Sequence, residues 1–289
     1  MPNTYAHWRF GDECINTLPE NYQSIINNHR EIFDFAVHGP DIFFYYNALK
    51  KNYINQFGFD LHEIPFNETI KKMLPLYIKS KDKDAALTYL LGLTAHFTLD
   101  SYCHSYIQRK EEVSNDERPY ASHGKIETQF DKFLLRKDGL NPYTTSLTTS
   151  LKPSIETAKV ISELYPNWDE ETIFKTLKDQ KKYLNLLKDS NPIKRALISF
   201  VLDRANATKY KDLMMGNKDY PEVKDSNLRL EKLYTKALGR YPQLVNSLLN
   251  YLEGKDQLDS YFNNTFSVKP DYKTIPVLSY DSEKNYIVD

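Results

Sequence analysis

Hydrophobic positions along the chain recur at intervals of three and four, the spacing that puts side chains on one face of an α-helix. Over residues 20–37 the series Tyr22, Ile25, Ile26, His29, Ile32, Phe33 and Ala36 predicts one helix, with His29 in its middle and Gly39-Pro40 as its stop. Asp41 then sits just past a helix end. The run Phe43-Phe44-Tyr45-Tyr46 opens an aromatic-rich connection through Gly58 to His62, and 69–79 predicts a short helix interrupted at Pro75. Asp84 is placed to cap a long helix to about Gln108, followed by a polar loop over 109–122 with Pro119 and a further helix over 123–136.

The second half repeats the pattern with different contents. Residues 141–150 form a Ser/Thr-rich link, the one internal seam the sequence offers. Beyond it Asp169 caps a helix with Phe174, Leu177, Leu184 and Leu187 on one face, and 193–203, 228–238 and 243–252 predict three more. Gly254 suits a left-handed helix end. From Phe266 onward, Pro270, Pro276 and polar residues predict extended or loosely docked chain. The expected organisation is a site-bearing helical region over 1–140, a helical region over 150–265 packed on it, and a tail over 266–289.

Composition narrows the class. Nine Gly in 289 residues argue against a sheet-rich, turn-rich fold, whereas 15 Phe and 22 Tyr supply ample core. With 38 Lys+Arg against 39 Asp+Glu the charge is nearly balanced, and no basic patch interleaved with aromatics marks a nucleic-acid groove; duplex nucleic acid is disfavoured as a partner. Two cysteines, Cys14 and Cys103, are too few for a disulfide scaffold and read as buried thiols. The start shows no secretory signal, so the expected location is cytoplasmic. The most apolar stretch, 85–103, approaches the length of a membrane span but contains His96 and Asp100, and so reads as a buried helix.

The chemistry is concentrated in the first half, since none of the seven histidines lies beyond His123. His96, Asp100 and His104 stand at i, i+4 and i+8; each step turns about 40° past a full turn and rises roughly 6 Å, so the three form one stripe on an apolar helix. His123 and Glu127 form a second i, i+4 pair. For a single pair a hydrogen-bonded histidine and carboxylate is an ordinary feature of a helix face. Five such groups buried on two helices exceed that account, because each is costly to bury unless paired or bound to metal. Imidazole and carboxylate without thiolate suit zinc, with manganese or iron as the alternatives, and the ligands outnumber what one tetrahedral ion needs.

The ordered set His7, Asp41, His62, His96-x-x-x-Asp100, His104, His123-x-x-x-Glu127 resembles the ligand order of the zinc-dependent phospholipase C family, whose architecture the tri-zinc single-strand nucleases share. The resemblance covers roughly residues 1–136. It implies an all-α, multi-helical bundle of that type, here with an additional helical C-terminal half, and two to three zinc ions per chain. It implies one zinc held by Asp41, His62, His96 and Asp100, another by His104, His123 and Glu127, and Asp100 bridging toward a third with His7. Two features depart from the family pattern. Its mature amino terminus, usually Trp, ligates the third zinc, whereas here six residues precede His7, Trp8 follows it, and Pro2 would have to fold back. The interval from Asp100 to His104 is also shorter than usual.

His38 is a candidate for orienting a ligating carboxylate, with a helix-end histidine as the alternative. Phe43, Phe44 and Tyr45 are candidates for a substrate pocket, with core packing as theirs. Clustered zinc ions suit phosphoester hydrolysis because they bind phosphoryl oxygens, acidify water and stabilise the leaving oxygen, and the resemblance implies Asp41 as both ligand and general base. The expected activity is phospholipase C-type cleavage of a phospholipid or related phosphodiester, with transient membrane contact and no transmembrane segment. A nucleotide or single-stranded nucleic acid substrate, and a non-catalytic metal-stabilised domain, are the alternatives.

Overall fold

A computed structural model describes residues 4–114, 120–188, 191–216 and 219–288. Pro2 and Pro119 lie outside the described residues. Among the described residues the chain is helical with no strand; the one β-type contact is an isolated bridge between Lys188 and Met215. The all-α expectation holds, with several boundaries moved.

The first helix, α1 (Thr4–Ile15), was not anticipated, although His7, Phe10 and Cys14 on its buried face keep the helical spacing. The helix expected over 20–37 is two: α2 (Glu20–Asn28) and α3 (Arg30–Ala36) meet at His29, whose φ of −121° leaves the helical region. A 3-10 turn, Gly39–Tyr45, and α4 (Tyr53–Glu63) replace the expected connection; Asn52 caps α4 by accepting from the Ile54 and Asn55 amides, both at 3.0 Å. In α5 (Phe66–Lys79) the helix runs through Pro75 because that position and Lys71, whose carbonyl loses its amide partner, face solvent.

The central element is α6 (Lys83–Val113), roughly 46 Å long by its 31 residues. Its cap is Asp82, accepting from the Ala85 amide at 3.0 Å, instead of Asp84. This helix has three faces. Leu87, Leu91, Ala95 and Leu99 enter one apolar core with α1 and with α7 (His123–Lys137). Leu90, Leu93 and Phe97 enter a second with α3, α4, α5, α8 (Ile155–Leu164) and α9 (Glu170–Leu187). His96, Asp100 and His104 occupy the third. Gly92 lets α3 approach, since a Cβ there would lie 2.5 Å from the Ala36 Cβ.

After α10 (Pro192–Arg204) and a 3-10 turn (Thr208–Leu213), one helix, α11 (Ser226–Leu252), stands where two were expected. It continues through Pro242 because Leu233, Ala237, Tyr241, Leu244 and Leu248 keep one buried face across the proline, and Tyr241 Oη donates to the Leu91 carbonyl of α6 at 3.1 Å. Gly254 does take the left-handed conformation (φ +71°). The tail is docked, not loose. It carries α12 (Tyr280–Asn285), whose Glu283 is fully buried against Arg229 of α11 at 2.9 and 3.0 Å. Cys14 and Cys103 are free and buried, and among the described residues no helix is long and apolar enough to cross a membrane.

Candidate metal centre

Eight ligand-type side chains converge from α1 (His7), the 3-10 turn (Asp41), α4 (His62), α6 (His96, Asp100, His104) and α7 (His123, Glu127). They form three groups in which the ligand atoms lie within 4.8 Å of one another: His7, His96 and Asp100; Asp41, His62 and His96; His104, His123 and Glu127. His96 belongs to two of them. Asp100 ties in the third, with Oδ1 3.1 Å from His7 Nε2 and 3.6 Å from His104 Nε2, and Oδ2 3.0 Å from His96 Nε2. Asp41 lies 3.0 Å from His62 Nε2, and Glu127 lies 2.9 Å from His123 Nε2 and 3.7 Å from His104 Nε2. Asp100 groups with His7 and His96, the pairing in which the resemblance has it bridging toward a third ion, whereas the group of Asp41, His62 and His96 forms without it.

The imidazoles are oriented from behind by main chain. His62 Nδ1 donates to the Gly58 carbonyl at 2.7 Å, His96 Nδ1 to Val37 at 3.2 Å and His104 Nδ1 to Phe266 at 2.6 Å. A carbonyl only accepts, so each Nδ1 carries hydrogen and each Nε2 is the atom aimed at the carboxylates, the arrangement that fixes the tautomer of a ligating histidine. Gly39 makes room for this. It has φ +48°, and a Cβ on it would stand 2.3 Å from the His96 ring.

The electrostatics are those of groups buried together. Burial alone would raise Asp41 and Asp100, yet both carboxyls are held below their usual range; the imidazoles of His62 and His96 contribute to this for the first, and those of His104, His96 and His7 for the second. Burial likewise opposes ionisation of Glu127, yet His123 and His104 draw it down to about 2. Burial disfavours a charged His104, but Asp100 and Glu127 push it up to about 9. His7 is lowered by burial and by His96, on whose ring it stacks at 4.3 Å.

Whether these residues fit a metal is tested by what they leave unsatisfied. Among the described residues the buried atoms His7 Nδ1 and Glu127 Oε2 have no hydrogen-bond partner, and His62 Nε2 and His96 Nε2 stand 3.0 Å from carboxylate oxygens without forming a hydrogen bond to them. Orphaned donors and acceptors of this kind are expensive in a dry interior, and a cation ligated by nitrogen and oxygen removes the cost at several of them together. The donor set fits zinc.

Of the remaining candidates, His38 is buried beside the cluster and driven down to about 3 by burial and by His7 and His96, while its Nδ1 has no hydrogen-bond partner among the described residues. Phe43 packs edge-on against Phe57 and Tyr165 in the core. Phe44 stacks on His62 at 5.1 Å and on Phe59 at 4.4 Å and lines a surface cavity, as does Tyr45. Two contributors escaped the sequence. Phe266 presents its carbonyl to His104 and its ring to His62 and His96. Asp131 holds the start of α1, and with it His7, by accepting from the Tyr5 and Ala6 amides at 3.1 and 2.9 Å.

Fold and centre together define a class: an all-α protein organised around a buried histidine and carboxylate cluster. The sequence model of the family described as "Zinc dependent phospholipase C" matches residues 6–187, and the chain belongs to that family. Membership supports a zinc-dependent hydrolase of the phosphodiesterase type. The match runs past the Ser/Thr-rich link and ends with α9. No curated protein and no solved structure matches the chain significantly.

Proposed function

We propose that the chain is a phospholipase C-type phosphodiesterase that separates the phosphorylated head group of a phospholipid from its glycerol oxygen. The observation that carries this is the convergence of eight buried ligand-type side chains in three groups linked by His96 and Asp100, with imidazole Nε2 atoms held toward carboxylates. Zinc held by Asp41, His62, His96, Asp100, His104, His123, Glu127 and His7, two to three ions per chain, supplies Lewis-acid stabilisation of phosphoryl oxygens and a more acidic water.

The chain's own residues do the rest. Asp41 is held below the usual carboxylate range, with its imidazole neighbours contributing, so it stands ionised and can accept a proton from the attacking water. The main-chain partners of His62, His96 and His104 keep these rings from turning. His123 is the most open member, its side chain 33% exposed, so substrate approaches from the α7 side.

The test is elemental mass spectrometry on protein purified without added metal, paired with hydrolysis of p-nitrophenyl phosphocholine with and without chelator. Two to three zinc per chain with chelator-sensitive turnover is expected. Zinc without turnover on this diester or on phospholipid would overturn the activity, and protein that takes up no metal would overturn the centre.

A further inference from the structure

Three cavities adjoin one another along one side of the molecule. The first, about 360 Å³, is lined by His123, Glu111, Ser122, Asp212 and Lys209, and so opens on the metal centre. It shares Phe59, Lys209 and Tyr210 with a second of about 350 Å³ that carries Lys50 and Lys51. The second shares Phe44, Leu49 and Tyr210 with a third of about 170 Å³ whose other walls are mostly aliphatic, among them Leu187, Leu197 and Val201. Two polar cavities, one with histidine and carboxylate and one flanked by lysines, thus lead to a nearly apolar third. A polar stretch followed by an apolar one is the complement of an amphiphile with an anionic phosphate next to an alkyl chain.

The apolar end is also exposed. On α10, Ile193, Leu197, Phe200 and Val201 stand at i, i+4, i+7 and i+8, with exposures of 83, 62, 59 and 44%, and so form one uncovered apolar face. Leu49 and Leu186 continue it from neighbouring elements. The adjoining 3-10 turn is pinned to the helix of His123 and Glu127: Ser122 Oγ donates to Asp212 Oδ2 at 2.6 Å, and Thr128 Oγ1 to the Asp212 carbonyl at 2.9 Å. Both α10 and this turn lie beyond the residues the family model matches.

From these observations we infer that the groove between α9, α10 and Phe44–Leu49 holds an acyl chain of the lipid whose phosphodiester reaches the metal centre. The inference rests on the phosphodiesterase reading for the identity of the polar end, and adds to it a chain-selecting site. Alkylphosphocholines of increasing chain length, kept monomeric, serve as probes by isothermal titration calorimetry on the protein as purified. Each methylene that enters the groove is expected to tighten binding by roughly threefold to fourfold. Val201→Glu and Leu197→Glu, both at exposed positions, are expected to abolish that dependence, with Val201→Leu retaining it and p-nitrophenyl phosphocholine turnover unchanged in all three.

The outcomes separate the two claims. Chain-length dependence that is absent, or equal in the Glu variants, overturns the groove even if the diester is hydrolysed. Dependence that is lost in the Glu variants supports the groove even if the diester is not hydrolysed, in which case only the activity fails. A dimer that Val201→Glu dissolves, without chain-length dependence, would assign the face to a second copy of the chain and overturn the proposal.

Discussion

Two regions of this molecule bury charge, and they do it differently. In the C-terminal half, Arg229 of α11 meets Glu283 of α12 through two hydrogen bonds, spends another at 3.2 Å on the Pro276 carbonyl, and lies between the rings of Tyr106 and Tyr286. Cation and anion are matched one to one, and the arrangement is closed. In the N-terminal half, five histidines and three carboxylates share one interior and leave several buried atoms without a hydrogen-bond partner among the described residues. The closed pair fastens the tail; the open cluster has coordination left to give. What distinguishes a structural buried charge from a chemical one is thus whether its neighbours already complete it.

That contrast can be attacked at both ends. The largest effect is expected from Asp41→Asn, which should lower turnover of p-nitrophenyl phosphocholine by roughly 10² to 10⁴-fold while the unfolding temperature is preserved; unchanged turnover removes Asp41 as base. Next in size is Arg229→Ala, which strands Glu283 in the interior and should cost about 3–5 kcal/mol in chemical denaturation. Replacing both partners, as Arg229→Met with Glu283→Leu, should cost far less, and equal losses would show that the pair is not closed in the sense drawn here.

Gly39→Ala probes the support of the open cluster. A residue with a Cβ at φ +48° costs about 1–3 kcal/mol, and the Cβ also meets the His96 ring, so both stability and zinc content should fall. Retention of both would mean that His96 does not depend on the turn. The smallest effect is expected at Asp138, partly exposed, which Arg9 grips at 2.7 and 3.0 Å. Burial would raise this carboxyl, but the hydrogen bonds from Arg9 and Tyr5 lower it from its ordinary 3.8. A folded value below the unfolded one stabilises above about pH 4 and ceases to do so as pH falls through the folded value. Asp138→Asn should therefore cost about 1 kcal/mol at pH 7 and progressively less as pH falls through the folded value; a loss independent of pH would make the interaction one of packing.

Five of the ligand candidates were legible from helical spacing, since His96, Asp100 and His104 fall on one face by arithmetic, and so do His123 and Glu127; His7, Asp41 and His62 came only from the family resemblance. What assists them was not legible. The carbonyls of Val37, Gly58 and Phe266 carry no side-chain signature, and Asp131 reads as one more acidic residue on a helix. The fold shows the same division. Asp169, Gly254 and the ends of α7 were readable from local chemistry, whereas Pro242 marks a break only until the buried face of α11 is seen to span it. The tail read as loose because Glu283 looks solvent-facing until Arg229, 54 positions away, is placed beside it.

The carbonyl of Phe266 has a consequence for the molecule as a whole. Because it holds His104, the segment after α11 and the occupancy of the centre are thermodynamically linked: whatever binds at His104 strengthens the seating of Phe266, and whatever frees Phe266 weakens binding at His104 by the same factor. Protease resistance around Phe266 should therefore follow zinc concentration, which would turn a distant stretch of backbone into a gauge of how full the centre is.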